Sequence, residues 1–277
     1  MAYWQWGDAQ ASHTIVCVHG LTRQGRDFDV LAQALVARAD HPVRVICPDI
    51  VGRGKSDWLK DPQAYQVPTY AADMLALLVQ LKPTTLDWVG TSMGGLIGMA
   101  VSAYAASAGL AVRRLVLNDV GPVIQWEAVQ RIGAYLGKAP PFASLEQAAA
   151  ALWAISSSFG PHTPEQWLEL SRHMVVPQPG GPGVVLHYDP AIALPIAAMT
   201  QELVAQGEAA VWQMYDSITS DTLLLRGAVS DLLSPATARE MAQRGPLAKV
   251  VEFAGVGHAP TLIAEDQVQC VADFLLQ

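Results

Sequence analysis

A serine flanked by small residues stands at the junction of a predicted strand and a predicted helix. Residues 90–94 read Gly-Thr-Ser-Met-Gly and directly follow the apolar run Thr85–Val89. This context is typical of a nucleophile elbow, in which a sharp turn exposes the serine hydroxyl at the carboxyl edge of a sheet. Gly90 and Gly94 lack the Cβ atoms that would collide with the chain at such a turn. The sequence therefore predicts that Ser92 is the nucleophile of an acyl-transfer reaction.

A nucleophilic serine needs a histidine base and an acid that orients the base. Of the seven histidines, His19 and His258 follow predicted core strands, and His258 stands in a glycine-containing loop before the last predicted helix. His258 is therefore the predicted base. Asp231 follows the predicted strand Thr222–Leu225 and gives the chain order Ser, Asp, His that this type of elbow has, so it is the favoured acid. Asp119 also follows a predicted strand and is the alternative acid.

Two backbone amides are predicted to bind the oxyanion. Acyl transfer develops negative charge on the carbonyl oxygen, and aimed N–H donors stabilise that charge. The residue after the nucleophile, Met93, is expected to supply one donor. Leu21 lies in the loop after the first buried strand and is expected to supply the other, since Gly20 lets the chain bend there. His19 is interpreted as a hydrogen-bonding support of this loop.

Together these motifs resemble the α/β-hydrolase superfamily, in its lid-bearing serine esterase branch. The resemblance covers residues 1–122 and 218–277, and it is specific for the superfamily but not for a substrate. It implies a mostly parallel eight-stranded sheet flanked by helices, with a helical cap inserted after the sixth strand. The motifs are His19-Gly20, Phe28, Pro48-Asp49-x-x-Gly52-x-Gly54-x-Ser56-Asp57, Gly90-Thr91-Ser92-Met93-Gly94-Gly95, Asn118-Asp119-x-Gly121-Pro122, Gly227-x-x-Ser230-Asp231 and Gly257-His258.

Short apolar runs alternate with helical patterns at both ends of the chain. Their strand–helix alternation predicts a parallel sheet covered by helices on both sides. Between them, residues 123–217 are rich in Ala, Trp and Pro and show helical periodicity without a convincing buried strand. We therefore expect an α/β core at 1–122 and 218–277 and a helical cap at 123–217. The strand candidates are Thr14–Val18, Val43–Cys47, Thr85–Val89, Arg114–Asn118, Thr222–Leu225 and Lys249–Phe253.

The predicted cap contains four of the eight tryptophans: Trp126, Trp153, Trp167 and Trp212. In the simpler interpretation they pack the cap helices against one another and against the core. Alternatively, Trp126 and Trp153 bind substrate in an apolar pocket above Ser92, because ligand pockets are mostly apolar.

Composition excludes several classes of protein. The 277 residues include 17 Lys and Arg against 25 Asp and Glu, a net charge of −8 that argues against a nucleic-acid partner. Cys17, Cys47 and Cys270 stand among apolar residues, as free thiols of a cytoplasmic protein do. The chain shows no signal-peptide pattern and no apolar stretch long enough for a bilayer, so no membrane partner is expected.

No metal or cofactor is predicted, because no Cys/His grouping has zinc-ligand spacing. The segment Gly52–Ser56 only superficially resembles a phosphate-binding loop, since it lacks the required glycine spacing and follows Pro48-Asp49. The oligomeric state is not predicted.

The sequence predicts a serine hydrolase that cleaves small-molecule carboxylic esters with small to medium, partly apolar acyl groups. Its triad would be Ser92, His258 and Asp231, and its reaction would pass through an acyl-enzyme. A carbon–carbon bond hydrolase of the ring-cleavage type and a thioesterase use the same triad and are alternatives. A ligand receptor without catalytic activity is a third hypothesis, because a fold does not dictate a function.

Overall fold

The computed structural model describes residues 1–277, apart from the side chains of residues 107 and 108. The first half alternates strands and helices as the apolar runs predict. Its elements are β1 (Tyr3–Gly7), β2 (His13–Val18), α1 (Asp29–Arg38), β3 (Val43–Pro48), α2 (Val67–Leu81), β4 (Thr85–Thr91), α3 (Met93–Tyr104) and β5 (Val112–Asn118).

The second half begins with the insert, defined here as residues 123–217, and then returns to the sheet. The insert holds α4 (Trp126–Tyr135), α5 (Leu145–Ser156), α6 (Pro164–Arg172), β6 (Val175–Pro177), β7 (Val184–Leu186), α7 (Ala193–Ala197) and α8 (Gln201–Asp216). After it come β8 (Asp221–Gly227), α9 (Pro235–Met241), β9 (Lys249–Phe253) and α10 (Glu265–Leu275).

Seven of these strands form one sheet in the order β1-β3-β2-β4-β5-β8-β9. Only β1 runs antiparallel to its neighbour, and the other neighbouring pairs are parallel. The expected α/β-hydrolase fold is thus confirmed, but the strand count differs from the eight that the resemblance implies. A single antiparallel strand, β1, precedes the parallel strands of the described chain, so the insert follows the fifth strand of the sheet and not the sixth.

The strands of the sheet centre are apolar on both faces because each face packs on a separate core. In β2, Val16 and Val18 belong to one buried cluster, whereas Ile15 and Cys17 belong to the other. Alternate side chains of a strand point to opposite faces, so a sheet covered on both sides requires continuous apolar runs.

The insert adds no strand to the large sheet but contains a strand pair that the sequence did not predict. β6 and β7 form an antiparallel pair, and both are only half-buried. A small cluster of Ala149, Leu152, Trp167 and Met174 packs the insert internally. The division into core and cap at residues 123 and 217 stays a prediction.

The parallel register brings the ends of three strands to one edge of the sheet. Val18 of β2 lies opposite Gly90 of β4, and Thr91 of β4 lies opposite Asn118 of β5. The residues that directly follow these strands therefore meet at the carboxyl edge, where open α/β sheets bind their ligands. Among the described residues, no helix is long and apolar enough to cross a membrane.

Candidate active site

Ser92 occupies a sharp turn between β4 and α3. Its backbone has φ 52° and ψ −117°, a conformation that is strained for a residue with a side chain. A Cβ on Gly90 would collide with the backbone of Gly94, and a Cβ on Gly94 would collide with the carbonyl of Val18. These contacts explain why glycine flanks the serine at both positions, and the turn is the elbow that the sequence predicts.

His258 joins Ser92 to a buried carboxylate. Its Nε2 lies 2.9 Å from Ser92 Oγ, and its Nδ1 lies 2.7 Å from Asp119 Oδ2. With the proton on Nδ1, the imidazole donates to Asp119 and accepts the hydroxyl proton of Ser92. That tautomer is the one a general base requires. The loop after β9 therefore brings His258 to Ser92, as the sequence predicts.

Asp119, and not Asp231, is the carboxylate beside His258. Asp119 is fully buried and has φ 55°. Besides His258, it accepts hydrogen bonds from the Gly227 amide at 2.9 Å and from Ser230 Oγ at 2.6 Å. Three donors to one carboxylate hold it in a fixed position beside His258.

Asp231 instead forms an ion pair with Arg131 of α4, at 2.7 and 3.0 Å. Its side chain is 48% exposed and makes no contact that orients His258. The prediction of Asp231 as the acid is therefore wrong in this structure. The turn after β8 directs Ser230 toward Asp119. The next residue, Asp231, therefore points outward to Arg131 of the insert.

The two amides predicted to bind an oxyanion lie at the same edge. Among the hydrogen bonds of the described residues, none has the N–H of Leu21 or Met93 as donor. Both residues line a cavity that also contains Ser92. Their role in oxyanion binding stays a prediction, which these unpaired donors make chemically feasible.

His19 holds the loop that carries Leu21. Its Nδ1 bonds the Gly20 carbonyl at 2.8 Å, and its Nε2 accepts from the Ile50 amide at 3.0 Å. Complete burial lowers the pKa of His19 to about 3, so the ring stays neutral and can accept from Ile50. This geometry agrees with the interpretation of His19 as a structural support.

Arg53 also supports this loop, and sequence reasoning missed it. The side chain is fully buried, and no carboxylate among the described residues forms a salt bridge with it. Its Nε donates to the Leu21 carbonyl at 2.8 Å, and its Nη1 donates to the Val51 carbonyl at 2.8 Å. Its guanidinium lies 5.0 Å from the ring centre of Tyr70. The only signal in the sequence was an Arg between two glycines in the segment dismissed as a phosphate loop.

We expect Arg53→Met to lower both stability and turnover. The buried carbonyl of Val51 and the partly buried carbonyl of Leu21 lose their donor. An unsatisfied buried group costs about 1–3 kcal/mol, so the free energy of unfolding falls by at least about that amount. Release of the Leu21 carbonyl shifts the loop that holds its amide, so kcat on a neutral ester falls about 10- to 100-fold. Urea denaturation and steady-state kinetics, at a temperature where the variant is folded, measure the two effects.

Arg113→Met is the matched control for this variant. Arg113 is bonded to Asp87 at 2.9 Å and to the Leu275 carbonyl at 2.9 Å, and it does not line either of the cavities that contain Ser92, which are described below. The control variant should lose stability and keep the kcat of the folded wild type. A stable Arg53→Met protein with unchanged kcat would refute the positioning role of Arg53.

Two cavities of different character share Leu21, Ser92 and Ile132 in their walls. The smaller, of about 100 Å³, is also lined by His258 and by the charged side chains of Arg23, Asp27 and Arg131. We call it the charged cavity. The larger, of about 500 Å³, is called the apolar cavity. Its other lining residues include Tyr65, Tyr70, Met93, Leu96, Ile124, Val129, Ile192, Ile196, Met199 and Leu232.

Trp126 and Trp153 line neither of these cavities, so their prediction as substrate-binding residues is wrong in this structure. In α4 the face toward the charged cavity carries Arg131, Ile132 and Tyr135, and the helical period turns Trp126 away from it. Trp153 packs within the insert, with its ring centre 5.1 Å from that of Trp167. The simpler interpretation, packing, holds for Trp153.

The model of the alpha/beta hydrolase family matches residues 15–272 of the chain. The chain belongs to the alpha/beta hydrolase family. A 3-hydroxybutyrate-oligomer hydrolase of Cupriavidus necator is 48% identical over 276 residues, which cover 99% of this chain and 92% of the relative.

Two solved structures are similar along the whole chain. An alpha/beta hydrolase from Novosphingobium aromaticivorans is 34% identical with a TM-score of 0.84, covering 99% of this chain and 92% of that one. The thioesterase domain from the curacin biosynthetic pathway is 25% identical with a TM-score of 0.76, covering 99% and 94%. Family membership and the Cupriavidus necator relative support hydrolase activity for this alpha/beta hydrolase.

Proposed function

We propose that this alpha/beta hydrolase cleaves the ester bonds of short 3-hydroxybutyrate oligomers through Ser92, His258 and Asp119. The observation that carries the proposal is the position of His258, with one ring nitrogen 2.9 Å from Ser92 Oγ and the other 2.7 Å from Asp119 Oδ2. A nucleophile, a base and an orienting acid in hydrogen-bond contact are the requirements of covalent acyl transfer. A receptor without catalytic activity has no need of this chain of bonds.

Ser92 Oγ attacks the ester carbonyl while His258 Nε2 takes its proton. The carbonyl oxygen becomes an oxyanion, which accepts from the amides of Leu21 and Met93. Collapse of this intermediate breaks the ester C–O bond, and His258 returns the proton to the departing alcohol oxygen. Water, deprotonated by His258, then attacks the acyl-enzyme, releases the acid and restores Ser92. Asp119 accepts the hydrogen bond of His258 Nδ1 and stabilises the imidazolium in both halves of the reaction.

The substrate class is supported by the relative and by the shape of the site. The Cupriavidus necator relative that shares 48% identity is a 3-hydroxybutyrate-oligomer hydrolase. The apolar cavity, about 500 Å³ in volume, offers room for more than one methyl-bearing ester unit. The insert acts as the cap of the site in this proposal, because α4 and the segment 192–203 supply one wall of that cavity.

A thioesterase is the second candidate, since the same three side chains attack thioesters. Its support is the similarity to the thioesterase domain of the curacin pathway, which is weaker than the similarity to the oligomer hydrolase. A ring-cleavage carbon–carbon hydrolase has no such support.

A direct assay separates these candidates. The purified chain is incubated with linear 3-hydroxybutyrate dimer and trimer, with p-nitrophenyl butyrate and with butyryl thioesters, and products are followed by mass spectrometry. We expect the oligomers to be cleaved with the highest kcat/KM. Turnover of thioesters alone would reject the proposal in favour of a thioesterase, and inertness toward every substrate would reject hydrolysis of esters altogether.

A further inference from the structure

The two cavities differ in their access to His258. His258 lines the charged cavity but is not among the residues that line the apolar cavity. Conversely, Met93 lines the apolar cavity and not the charged one. Because His258 must protonate the departing alcohol, the leaving group has to lie on the side that His258 faces. The acyl portion then occupies the apolar cavity.

The charged cavity is too small for a chain of ester units. Its volume is about 100 Å³, below the roughly 300–1,000 Å³ of pockets for drug-sized ligands. It therefore accepts one short unit, whereas the apolar cavity, about five times larger, accepts the remainder of an oligomer.

Arg131 gives this small cavity an available cation. Its side chain is 40% exposed, and its ion pair with Asp231 lies partly in water, where such pairs are weak. Arg23 is less available, since it forms a bidentate bond to Asp27 at 2.6 and 2.8 Å and is only 12% exposed. Asp231 does not line the cavity, so a second carboxylate inside it can share the Arg131 guanidinium.

Tyr135 supplies a neutral donor beside the cation. It lies one helical turn after Arg131 and lines the same cavity. Burial raises the pKa of Tyr135, so the hydroxyl remains protonated and can donate to an anion. A guanidinium together with a hydroxyl is a chemically suitable pair for a carboxylate.

We infer that Arg131 binds the free carboxylate of the oligomer and that the enzyme removes units one at a time from the carboxyl end. This inference rests on the proposed function. Ser92 attacks the carbonyl of the penultimate unit, and the bond to the last unit's hydroxyl oxygen breaks. The last unit leaves as a hydroxy acid with the proton from His258, and the shortened oligomer remains on Ser92 until water releases it.

A labelled trimer tests the direction of cleavage. The trimer carries ¹³C only in its carboxyl-terminal unit, and products are sampled before a tenth of it is consumed. We expect labelled monomer and unlabelled dimer as the first products. Unlabelled monomer with labelled dimer would mean release from the hydroxyl end and would overturn the inference while the proposed function stands.

A charge test addresses Arg131 itself. The trimer is compared with the same trimer carrying a primary amide in place of its carboxylate, and the ratio of the two kcat/KM values is the readout. We expect the wild type to favour the acid at least tenfold, as a charge-assisted contact does, and Arg131→Gln to bring the ratio close to one. Arg131→Lys keeps the charge and should retain part of the preference.

Arg172→Gln is the matched control. Arg172 is an exposed arginine of the insert that pairs with Glu169 at 2.9 Å and lines neither cavity. It should keep the wild-type ratio. An Arg131→Gln ratio equal to that of the wild type would overturn the inference. Failure to cleave either trimer, with p-nitrophenyl butyrate still cleaved, would refute the proposed function and the inference together.

Discussion

Replacement of Ser92 by alanine is expected to reduce kcat on p-nitrophenyl butyrate by a factor of about 10⁴ or more. The variant retains the amides of Leu21 and Met93 and the cavities but has no oxygen that can form an acyl-enzyme. In a serine protease, loss of the nucleophile lowers kcat by about 10⁶, and what remains comes from the oxyanion donors and binding. The strained turn at Ser92 accommodates alanine, because only the hydroxyl oxygen is removed.

Ser102→Ala is a suitable control for this experiment because it makes the same chemical change in the helix that begins directly after Ser92. Ser102 lies in α3, ten positions after Ser92, and its buried Oγ has no partner among the described residues. Its activity should stay within about twofold of the wild type. A fluorophosphonate should label the wild type and Ser102→Ala but leave Ser92→Ala unlabelled. Retention of more than a hundredth of the activity in Ser92→Ala would refute a nucleophilic role.

The positions of Ser92 and His258 were predictable because local signals determine them. The glycines around Ser92 indicate a turn with close backbone contacts, and the apolar runs on either side indicate the strand and the helix that the turn connects. His258 follows the last strand of a parallel sheet, whose strand ends gather at one edge. Both inferences need only the order of the elements along the chain and the rule that parallel strands share their carboxyl edge.

The choice between Asp119 and Asp231 was not predictable, because each follows a strand of the same sheet. Asp119 directly follows β5, whereas Asp231 lies four residues beyond β8, in a turn whose direction the sequence does not determine. The turn directs Ser230 inward to Asp119 and Asp231 outward to Arg131. Two adjacent residues of one turn therefore have different surroundings: Ser230 contacts the buried Asp119, whereas Asp231 is exposed.

The insert was the least predictable part for a related reason. Its helices were recognisable from their periodicity, but which face of α4 points to the site depends on contacts with the core that lie far away in the sequence. Aromatic type favoured Trp126 as a pocket residue, yet Arg131 and Tyr135 occupy the face toward the charged cavity. Arg53 was missed because a buried arginine without a carboxylate partner is rare, so residue type alone predicts an exposed side chain.

Asp119→Asn is expected to lower kcat by about 10³–10⁴ while the protein stays folded. An asparagine amide can donate to Nδ1 of His258, which stabilises the tautomer with its proton on Nε2. That tautomer cannot accept the proton of Ser92. In addition, the neutral asparagine no longer supplies the negative charge that stabilises the imidazolium. The same change in a serine protease triad lowers kcat by about 10⁴. The Asn side chain keeps one oxygen to accept from Gly227, so thermal unfolding should show only a moderate loss of stability.

Asp231→Asn is the control that decides between the two carboxylates, because it makes an identical change in the residue that the sequence favoured. Asp231 is 48% exposed, and its partner is Arg131 at 2.7 Å. Its loss removes an ion pair that lies partly in water, so kcat on the neutral ester p-nitrophenyl butyrate should change by less than about threefold. Equal losses in both variants would mean that the acid is not Asp119 alone. A large loss in Asp231→Asn with an active Asp119→Asn would reverse the assignment. The expected result, a difference of about a thousandfold between two Asp→Asn changes, would instead identify the buried carboxylate with three donors as the group that orients His258.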